Sequence, residues 1–121
     1  MAKGGMSLFL GAMAQFAGKR HFAFDSFEGL PPPQVAKDNI YFRAGDYASR
    51  DGQLDLYTRF VQIVADFGLT GTIFPVRGWF KETVPATLPG RAVSFAHVDV
   101  DLFDSTYEVL ANVFPCLVPG G

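Results

Sequence analysis

The chain has 121 residues, of which 49% are hydrophobic and 18% are charged, and its formal net charge is −2 at pH 7. This composition is typical of one globular domain and excludes an intrinsically disordered chain. The slightly acidic balance gives no electrostatic reason to expect a nucleic acid or an anionic membrane as a partner.

The amino-terminal segment predicts an amphipathic helix over residues 6–17, opened by Gly4 and Gly5 and ended by Gly18. A secretory leader is the alternative, but polar residues interrupt the apolar run and favour the helix. No segment approaches the ~20 apolar residues of a membrane span. The single cysteine, Cys116, excludes an intrachain disulfide and favours a reducing compartment, so we expect a cytoplasmic protein.

A short strand is predicted next. Residues 20–25 are rich in aromatic side chains and end in the carboxylate of Asp25. The consecutive prolines of residues 31–33 exclude helix and require a loop. Residues 34–50 carry no strong period, and we expect them to form loop with one helical turn.

Apolar residues three or four positions apart predict a second helix over residues 51–67, and Gly68 follows as its end. Residues 71–78 predict a strand. Pro75 cannot donate a hydrogen bond within a sheet, so this strand is expected at an edge. The segment "VRGWFKETVP" then joins the strand to a turn.

The segment "RAVSFAHVDVD", residues 91–101, is the clearest strand of the sequence. Its near-continuous apolar run is typical of a parallel sheet covered on both faces. Asp104 is predicted to cap a last helix that ends near Phe114. Helices and strands therefore alternate in the way of an α/β fold.

Three features meet at the carboxyl edge of such a sheet, where ligands bind in open α/β folds. Gly4 and Gly5 open the first helix, Asp25 ends the first strand, and Asp99 and Asp101 end the third. The two last aspartates have two interpretations, as hydrogen-bonded loop residues or as carboxylates that bind a divalent cation or act as a base. The residues alone leave both open.

Gly78 and Trp79 also follow a strand, where the indole can stack on a purine or simply fill the core. The two histidines are expected to be structural. His97 is predicted to be a core or hydrogen-bonded residue, and His21 to lie at the opposite end of the sheet from the site.

Four motifs, in this order and spacing, resemble the macrocin O-methyltransferase family: "DSFEGLPPP", "FRAGDYA", "RGWFKETVP" and "HVDVDLFDSTYEVL…VPGG". The similarity runs from Gly4 to Gly121. Members of this family are S-adenosylmethionine-dependent enzymes that methylate hydroxyls of sugars in natural products. The resemblance implies a Rossmann-like class I methyltransferase fold, a three-layer α/β sandwich, with a small-molecule hydroxyl acceptor.

The resemblance also implies roles for individual residues, and those around the cofactor are Gly4, Gly5, Ser7, Asp25, Ser26, Gly78 and Trp79. The glycine turn with Ser7 matches the loop along the methionine part, Asp25 with Ser26 the ribose site, and Gly78-Trp79 the adenine segment. Asp99 matches a Mg²⁺ ligand and Asp101 the base that takes the acceptor proton, although the two roles could be exchanged.

Two parts of the family pattern do not occur in this sequence: the first strand and the Asp-Asp strand that completes the metal site. We therefore interpret residues 1–121 as a single, truncated domain with an incomplete Mg²⁺ site, and we expect the isolated chain to be nearly inactive. A non-catalytic remnant that pairs with another chain, in the simplest case as a homo-oligomer, is the alternative. A nicotinamide-dependent oxidoreductase is a weaker one.

Overall fold

A computed structural model describes residues 4–34, 37–38, 41–49 and 54–121. Five helices or strands precede the last long helix and a final 3-10 turn. In chain order the elements are α1 (Gly5–Phe16), β1 (His21–Asp25), α2 (Leu56–Asp66), β2 (Ile73–Arg77), α3 (Phe80–Thr87), α4 (Phe103–Val113) and the 3-10 turn Phe114–Cys116.

β1 and β2 form a parallel two-stranded sheet, with His21 opposite Ile73 and Asp25 opposite Arg77. The His21 N–H donates to the Thr72 carbonyl at 2.9 Å, and the Gly78 N–H donates to the Asp25 carbonyl at 3.0 Å. Main-chain groups alternate sides along a parallel ladder, so Pro75 faces away from β1 and no ladder bond is lost. The predicted edge position of Pro75 is confirmed.

Helices cover both faces of this sheet, which gives three layers. On one face, Ala23 and Ile73 pack into a buried cluster with Phe60 and Val64 of α2, and α1 contacts both strands. On the other face, Phe24 packs against a second cluster. That cluster is formed by Val84, Leu88, Val109 and Val113.

Two local features explain how the first layer forms. Gly11 lies where α1 crosses β2, and a Cβ atom at this position would collide with the Ile73 side chain. Asp55 caps α2, because its carboxylate accepts hydrogen bonds from the Thr58 N–H and hydroxyl, both at 3.0 Å. Arg77 of β2 lies 3.3 Å from the same carboxylate and ties the helix start to the sheet.

The prediction of a strand over residues 91–101 is wrong, because the described chain forms no strand there. Val93 forms a single parallel bridge with Leu117, and no hydrogen bond reaches any described residue from Ser94 to Asp99. A segment with high strand propensity forms a strand only where a neighbouring strand can pair with it. On the β1 side of residues 94–99 there is a cleft instead of a described segment.

Two further predictions need correction. Residues 80–87 form α3 rather than a turn, although Pro85 lies inside the helix. Asp104 lies in the first turn of α4 and does not cap it. The Phe103 N–H donates instead to Asp38, at 2.8 Å, from a loop 65 residues earlier, while Asp104 accepts from Lys37 at 2.8 Å.

The remaining predicted elements are confirmed where the structure describes them. α1, β1, α2, β2 and α4 lie within one to five residues of their predicted bounds. The described parts of residues 34–50 contain turns, as expected, whereas residues 51–53 at the start of the second predicted helix lie outside the described part. Among the described residues, no helix has the length and apolar character needed to cross a membrane.

Candidate functional site

Two adjoining clefts open beside the sheet. The large cleft has a volume of about 710 Å³ and lies between β1 and residues 91–100. The small cleft has a volume of about 200 Å³ and lies beyond the carboxyl ends of β1 and β2. Asp25 and Asp99 line both clefts, together with Phe80 and Val100, so the two spaces share a wall.

All nine site residues predicted from the sequence line one of these clefts. Gly4, Gly5 and Ser7 line the large cleft, and Asp25 and Asp99 line both. The small cleft is lined by Ser26, Gly78, Trp79 and Asp101. β1 and β2 run parallel, so the turns that follow them lie at one edge of the sheet, and the loop with Asp99 and Asp101 lines the same cleft.

The amino terminus of α1 opens toward the large cleft. Gly4 has a φ angle of 73° and precedes the helix without a side-chain cap. A Cβ at Gly4 would lie 2.8 Å from the Phe60 ring, whereas no described residue comes within 4 Å of a Cβ placed on Gly5. A ligand can therefore approach the first N–H groups of α1, where the helix dipole favours negative charge.

The turn after β1 is held by two side chains. Oδ1 of Asp25 accepts a hydrogen bond from the Phe27 N–H at 2.7 Å. Oγ of the buried Ser26 accepts from the Glu28 N–H at 3.2 Å and donates to the Gly29 carbonyl at 3.1 Å. These bonds fix the direction of the Asp25 carboxylate, which keeps further acceptor capacity because an ionised carboxylate has about four lone-pair sites.

The turn after β2 places Trp79 against the small cleft. Gly78 has a φ angle of 138°, and a Cβ there would lie 2.8 Å from the Thr83 methyl group. The Thr83 hydroxyl donates to the Trp79 carbonyl at 3.0 Å. Glycine is thus required by both the backbone angle and the close approach of α3.

Asp99 and Asp101 are exposed on the loop that leads into α4. Neither carboxylate makes a hydrogen bond or ion pair within the described part of the chain. Asp101 has a φ angle of 52°, in the left-handed region. Among the described residues, no group of three or more His, Cys, Asp or Glu could hold a metal ion.

Backbone strain converges on the small cleft. Three described residues other than glycine have a positive φ angle: Phe27 at 59°, Tyr47 at 67° and Asp101 at 52°. All three line this cleft. Strained non-glycine backbone of this kind concentrates at functional sites, since the surrounding structure must maintain it.

Tyr47 was missed by the sequence interpretation. It belongs to a wall of the small cleft that also contains Leu30 and Pro31. Gly29 brings the two loops of this wall together, because a Cβ at Gly29 would lie 2.6 Å from the Asp46 carbonyl oxygen. The motif "FRAGDYA" marked this loop, but nothing in its residue spacing placed Tyr47 at the small cleft.

The two histidines differ from each other. His97 is exposed, makes no hydrogen bond within the described part of the chain and lines the large cleft, so the prediction of a core or hydrogen-bonded residue is wrong. His21 starts β1, at the opposite end from Asp25, as predicted. Burial lowers the pKa of His21, and its Nε2 atom has no hydrogen-bond partner in the described structure.

The three-layer arrangement and the carboxyl-edge site define the class of fold: a partial α/β methyltransferase fold of the Rossmann-like type. Two solved structures share it. The calicheamicin methyltransferase CalS11 has a TM-score of 0.72, with 24% identity over 92% of this chain and 49% of its own. The O-methyltransferase NovP has a TM-score of 0.66, with 22% identity over 97% and 50%.

The amino-acid sequence identifies the family within this class of fold. The family model described as macrocin-O-methyltransferase (TylF) matches residues 1–121. The chain therefore belongs to the macrocin O-methyltransferase family, as its motifs indicated.

Two curated relatives show what the chain is similar to. The 8-demethyl-8-(2,3-dimethoxy-alpha-L-rhamnosyl)-tetracenomycin-C 4'-O-methyltransferase of Streptomyces olivaceus is 34% identical over 98% of this chain. The mycinamicin III 3''-O-methyltransferase of Micromonospora griseorubida is 29% identical over 80% of it. The matches cover 47% and 39% of these relatives, so the chain spans less than half of their lengths.

Proposed function

We propose that residues 1–121 are part of a single S-adenosylmethionine-dependent O-methyltransferase domain that acts on a hydroxyl group of a sugar in a natural product. The observation that carries this proposal is the convergence of Asp25, Gly78, Trp79 and the strained Asp101 on one cleft. Family membership supports it, and favours methyl transfer over the alternative of a nicotinamide-dependent oxidoreductase. A cytoplasmic location and a homo-oligomer stay predictions.

The residues around the clefts fit the chemistry of the cofactor. The uncapped start of α1 offers N–H groups to a carboxylate, beside the open space at Gly5. The Asp25 carboxylate, held by the Phe27 N–H, can accept hydrogen bonds from ribose hydroxyls. Trp79 offers an aromatic face to adenine. We assign Gly4, Gly5 and Ser7 to the methionine part, and Ser26 and Gly78 to the turns that position Asp25 and Trp79.

When bound, the cofactor would supply an electrophilic methyl group on a sulfonium. The protein must then align an acceptor oxygen with that methyl group and remove its proton. We propose that a carboxylate oxygen of Asp101 accepts this proton as the acceptor oxygen forms its bond to the methyl carbon and the bond between that carbon and the sulfonium sulfur breaks. The left-handed backbone at Asp101 directs this side chain, which has no competing partner in the described structure.

Asp99 is the candidate Mg²⁺ ligand. Magnesium is usually held by one or two carboxylates together with water and substrate oxygens. Asp99 and Asp101 supply two carboxylates on one loop, but the described residues contribute no third acidic or histidine ligand. The described residues therefore offer at most these two carboxylates to a Mg²⁺ ion, and the proton transfer assigned to Asp101 does not depend on the metal.

Calorimetric titration with S-adenosylhomocysteine tests the cofactor assignment. In Asp25→Asn the Phe27 hydrogen bond can persist while the charge is lost, so binding should weaken by about tenfold or more. Asp66→Asn, at the exposed end of α2, is the matched control and should bind like the parent. Equal affinity of all three proteins would refute the assignment of Asp25 to the ribose.

A second titration tests the metal. Because the described residues offer at most two carboxylates to a Mg²⁺ ion, we expect magnesium to leave the affinity of this chain for S-adenosylhomocysteine unchanged. Metal-dependent tightening by the 121-residue chain, abolished in Asp99→Asn, would contradict this expectation.

A further inference from the structure

Three carboxylates from distant parts of the sequence lie at the start of α4. Asp104 belongs to the first turn of this helix, and Asp101 comes two residues before the helix begins. The third is Asp38, whose Oδ1 atom accepts a hydrogen bond from the Phe103 N–H at 2.8 Å. The first N–H groups of a helix have no partner within the helix, so a nearby carboxylate can serve as their cap.

Two of these carboxylates are engaged with the loop that contains Gln34 and Lys37. Oδ2 of Asp38 accepts from the Gln34 N–H at 2.6 Å, so this side chain joins its own loop to α4. Oδ1 of Asp104 lies 2.8 Å from the Lys37 ammonium, and its Oδ2 accepts from the Gln34 side-chain amide. Both oxygens of each carboxylate are therefore in use.

Asp101 differs from both. Its carboxylate makes no hydrogen bond or ion pair within the described part of the chain, and its φ angle is 52°. The Leu102 N–H donates to the Val100 carbonyl, which closes a three-residue turn around Asp101. A γ-turn with a positive φ angle at its central residue is rare and strained, so the flanking structure must maintain it.

An ordinary helix start would use Asp101 as its cap. α4 begins at Phe103, after Leu102, which supplies no side-chain hydrogen bond. If the helix began one residue earlier, Asp101 would be the capping residue, and its carboxylate would accept from the second or third helical N–H. The second would be the Phe103 N–H. This is the group that Asp38 already binds.

We propose that Asp38 is a positioning residue, which occupies the Phe103 N–H and so keeps the Asp101 carboxylate free to act as the base. Lys37 supports this arrangement, because its ammonium holds Asp104 and lies 5.5 Å from the centre of the Phe103 ring. The inference rests on the proposed role of Asp101 and extends it, since the proton acceptor is kept available by a loop 65 residues before the helix start.

A double-mutant cycle, read by amide hydrogen exchange of the 121-residue chain, tests the proposal. Asp38→Ala should speed exchange of the Phe103 amide about fivefold, because a cap is lost. Asp101→Gly removes the second carboxylate and tolerates the positive φ angle. It should leave this amide unchanged in the parent, but speed its exchange by a further factor of about three in Asp38→Ala, where the Asp101 carboxylate has taken over the bond. An equal effect of Asp101→Gly in both backgrounds overturns the proposal.

The resonances of Asp101 and a conservative variant give a second readout. In Asp38→Ala the Cα resonance of Asp101, which reports its backbone conformation, should move as the carboxylate turns to the Phe103 N–H. Asp38→Asn keeps a side-chain oxygen for that N–H, so the Asp101 resonance should stay as in the parent. If Asp38→Asn moved it as far as Asp38→Ala does, the bond to Phe103 would not be what frees Asp101.

Asp55→Ala is the matched control, because it removes a side-chain cap of the same kind from α2. It should destabilise the chain by a similar amount and leave the Asp101 resonance in place. An equal movement in Asp55→Ala would show that any loss of stability displaces Asp101, which refutes a positioning role for Asp38. None of these measurements uses cofactor or acceptor. They therefore fail independently of the proposed function, which the titration with S-adenosylhomocysteine tests.

Discussion

β1 and the segment 91–99 have similar sequences and different structures. Each is an apolar run that ends in an aspartate, Asp25 in one and Asp99 in the other. β1 pairs along its whole length with β2, whereas the described residues from Ser94 to Asp99 pair with nothing. Residue preference is comparable in the two, so the presence of a neighbour decides which becomes a strand.

The two hydrophobic cores also differ, in how completely the residues around them are buried. The core beside β1 joins Ala23, Phe27 and Ile73 to α2, and no member is more than 6% exposed. The core on the other face of β1 joins α3 to α4. Its own members are at most 8% exposed, but Val93, Val98 and Val100 of the segment 91–100 are only partly buried against it. Stability should therefore be concentrated on the β1 side, and substitutions can test that difference.

The largest expected effect is in the core beside β1. Phe60 is 5% exposed and its ring centre lies 5.9 Å from that of Phe27. Phe60→Ala should lower the free energy of unfolding by about 3–5 kcal/mol in urea denaturation. Phe67→Ala is the matched control. Phe67 follows the last residue of α2 and is 67% exposed, so this substitution should change the free energy of unfolding by less than about 0.5 kcal/mol. Similar losses in both variants would show that this core is not where stability resides.

A smaller effect is expected where α1 crosses β2. In Gly11→Ala the new Cβ would collide with Ile73, so we expect a loss of about 1–3 kcal/mol despite the better helix propensity. In Gly5→Ala the Cβ meets no described residue within 4 Å, so the variant should gain up to about 1 kcal/mol. Chemical denaturation of the pair measures both, and a gain in Gly11→Ala would mean that α1 can move away from the sheet.

Local patterns in the sequence were enough to predict the elements on the β1 side. α2 follows from its apolar spacing, and the edge strand β2 follows from Pro75. Two of the errors concern interactions between distant residues. The strand at 91–101 failed for lack of a neighbour, and the cap of α4 came from Asp38 rather than Asp104.

The site was predicted in the same uneven way. Chain order alone led us to expect Asp25 and Asp99 at one sheet edge. Both line the small cleft, although only Asp25 ends a strand. α3 was missed because Pro85 argues against a helix and no side chain caps its start. Tyr47 was missed because its approach to the cleft depends on how two loops pack, which has no period in the sequence.

The two aspartates that cap helices, Asp55 and Asp38, should contribute about equally to the free energy of unfolding. Asp55 caps α2 from three residues away, and Asp38 caps α4 from 65 residues away. Substitution by alanine should cost about 1 kcal/mol in each case. Hydrogen exchange should then distinguish them: Asp55→Ala speeds exchange in the first turn of α2, and Asp38→Ala does so in α4. Faster exchange of both helices in either variant would show that the two sides unfold as one unit.

The smallest expected effect is a dependence of stability on pH that comes from the start of β1. Burial lowers the pKa of His21 below the usual histidine value of 6.5, so the folded state favours neutral imidazole while the unfolded chain binds a proton more readily. The contribution is fully present above pH 6.5 and is lost as the pH falls through the lowered value.

Urea midpoints measured at pH 7.5 and pH 5.5 should therefore differ, and His21→Gln should reduce the difference. His97→Gln removes the other, exposed imidazole and should leave the difference as in the parent. The histidines lie on opposite sides of the large cleft, one in the paired strand and one in the unpaired segment. If His97→Gln reduced the difference and His21→Gln did not, the more tightly packed histidine would be the one in the segment that forms no strand.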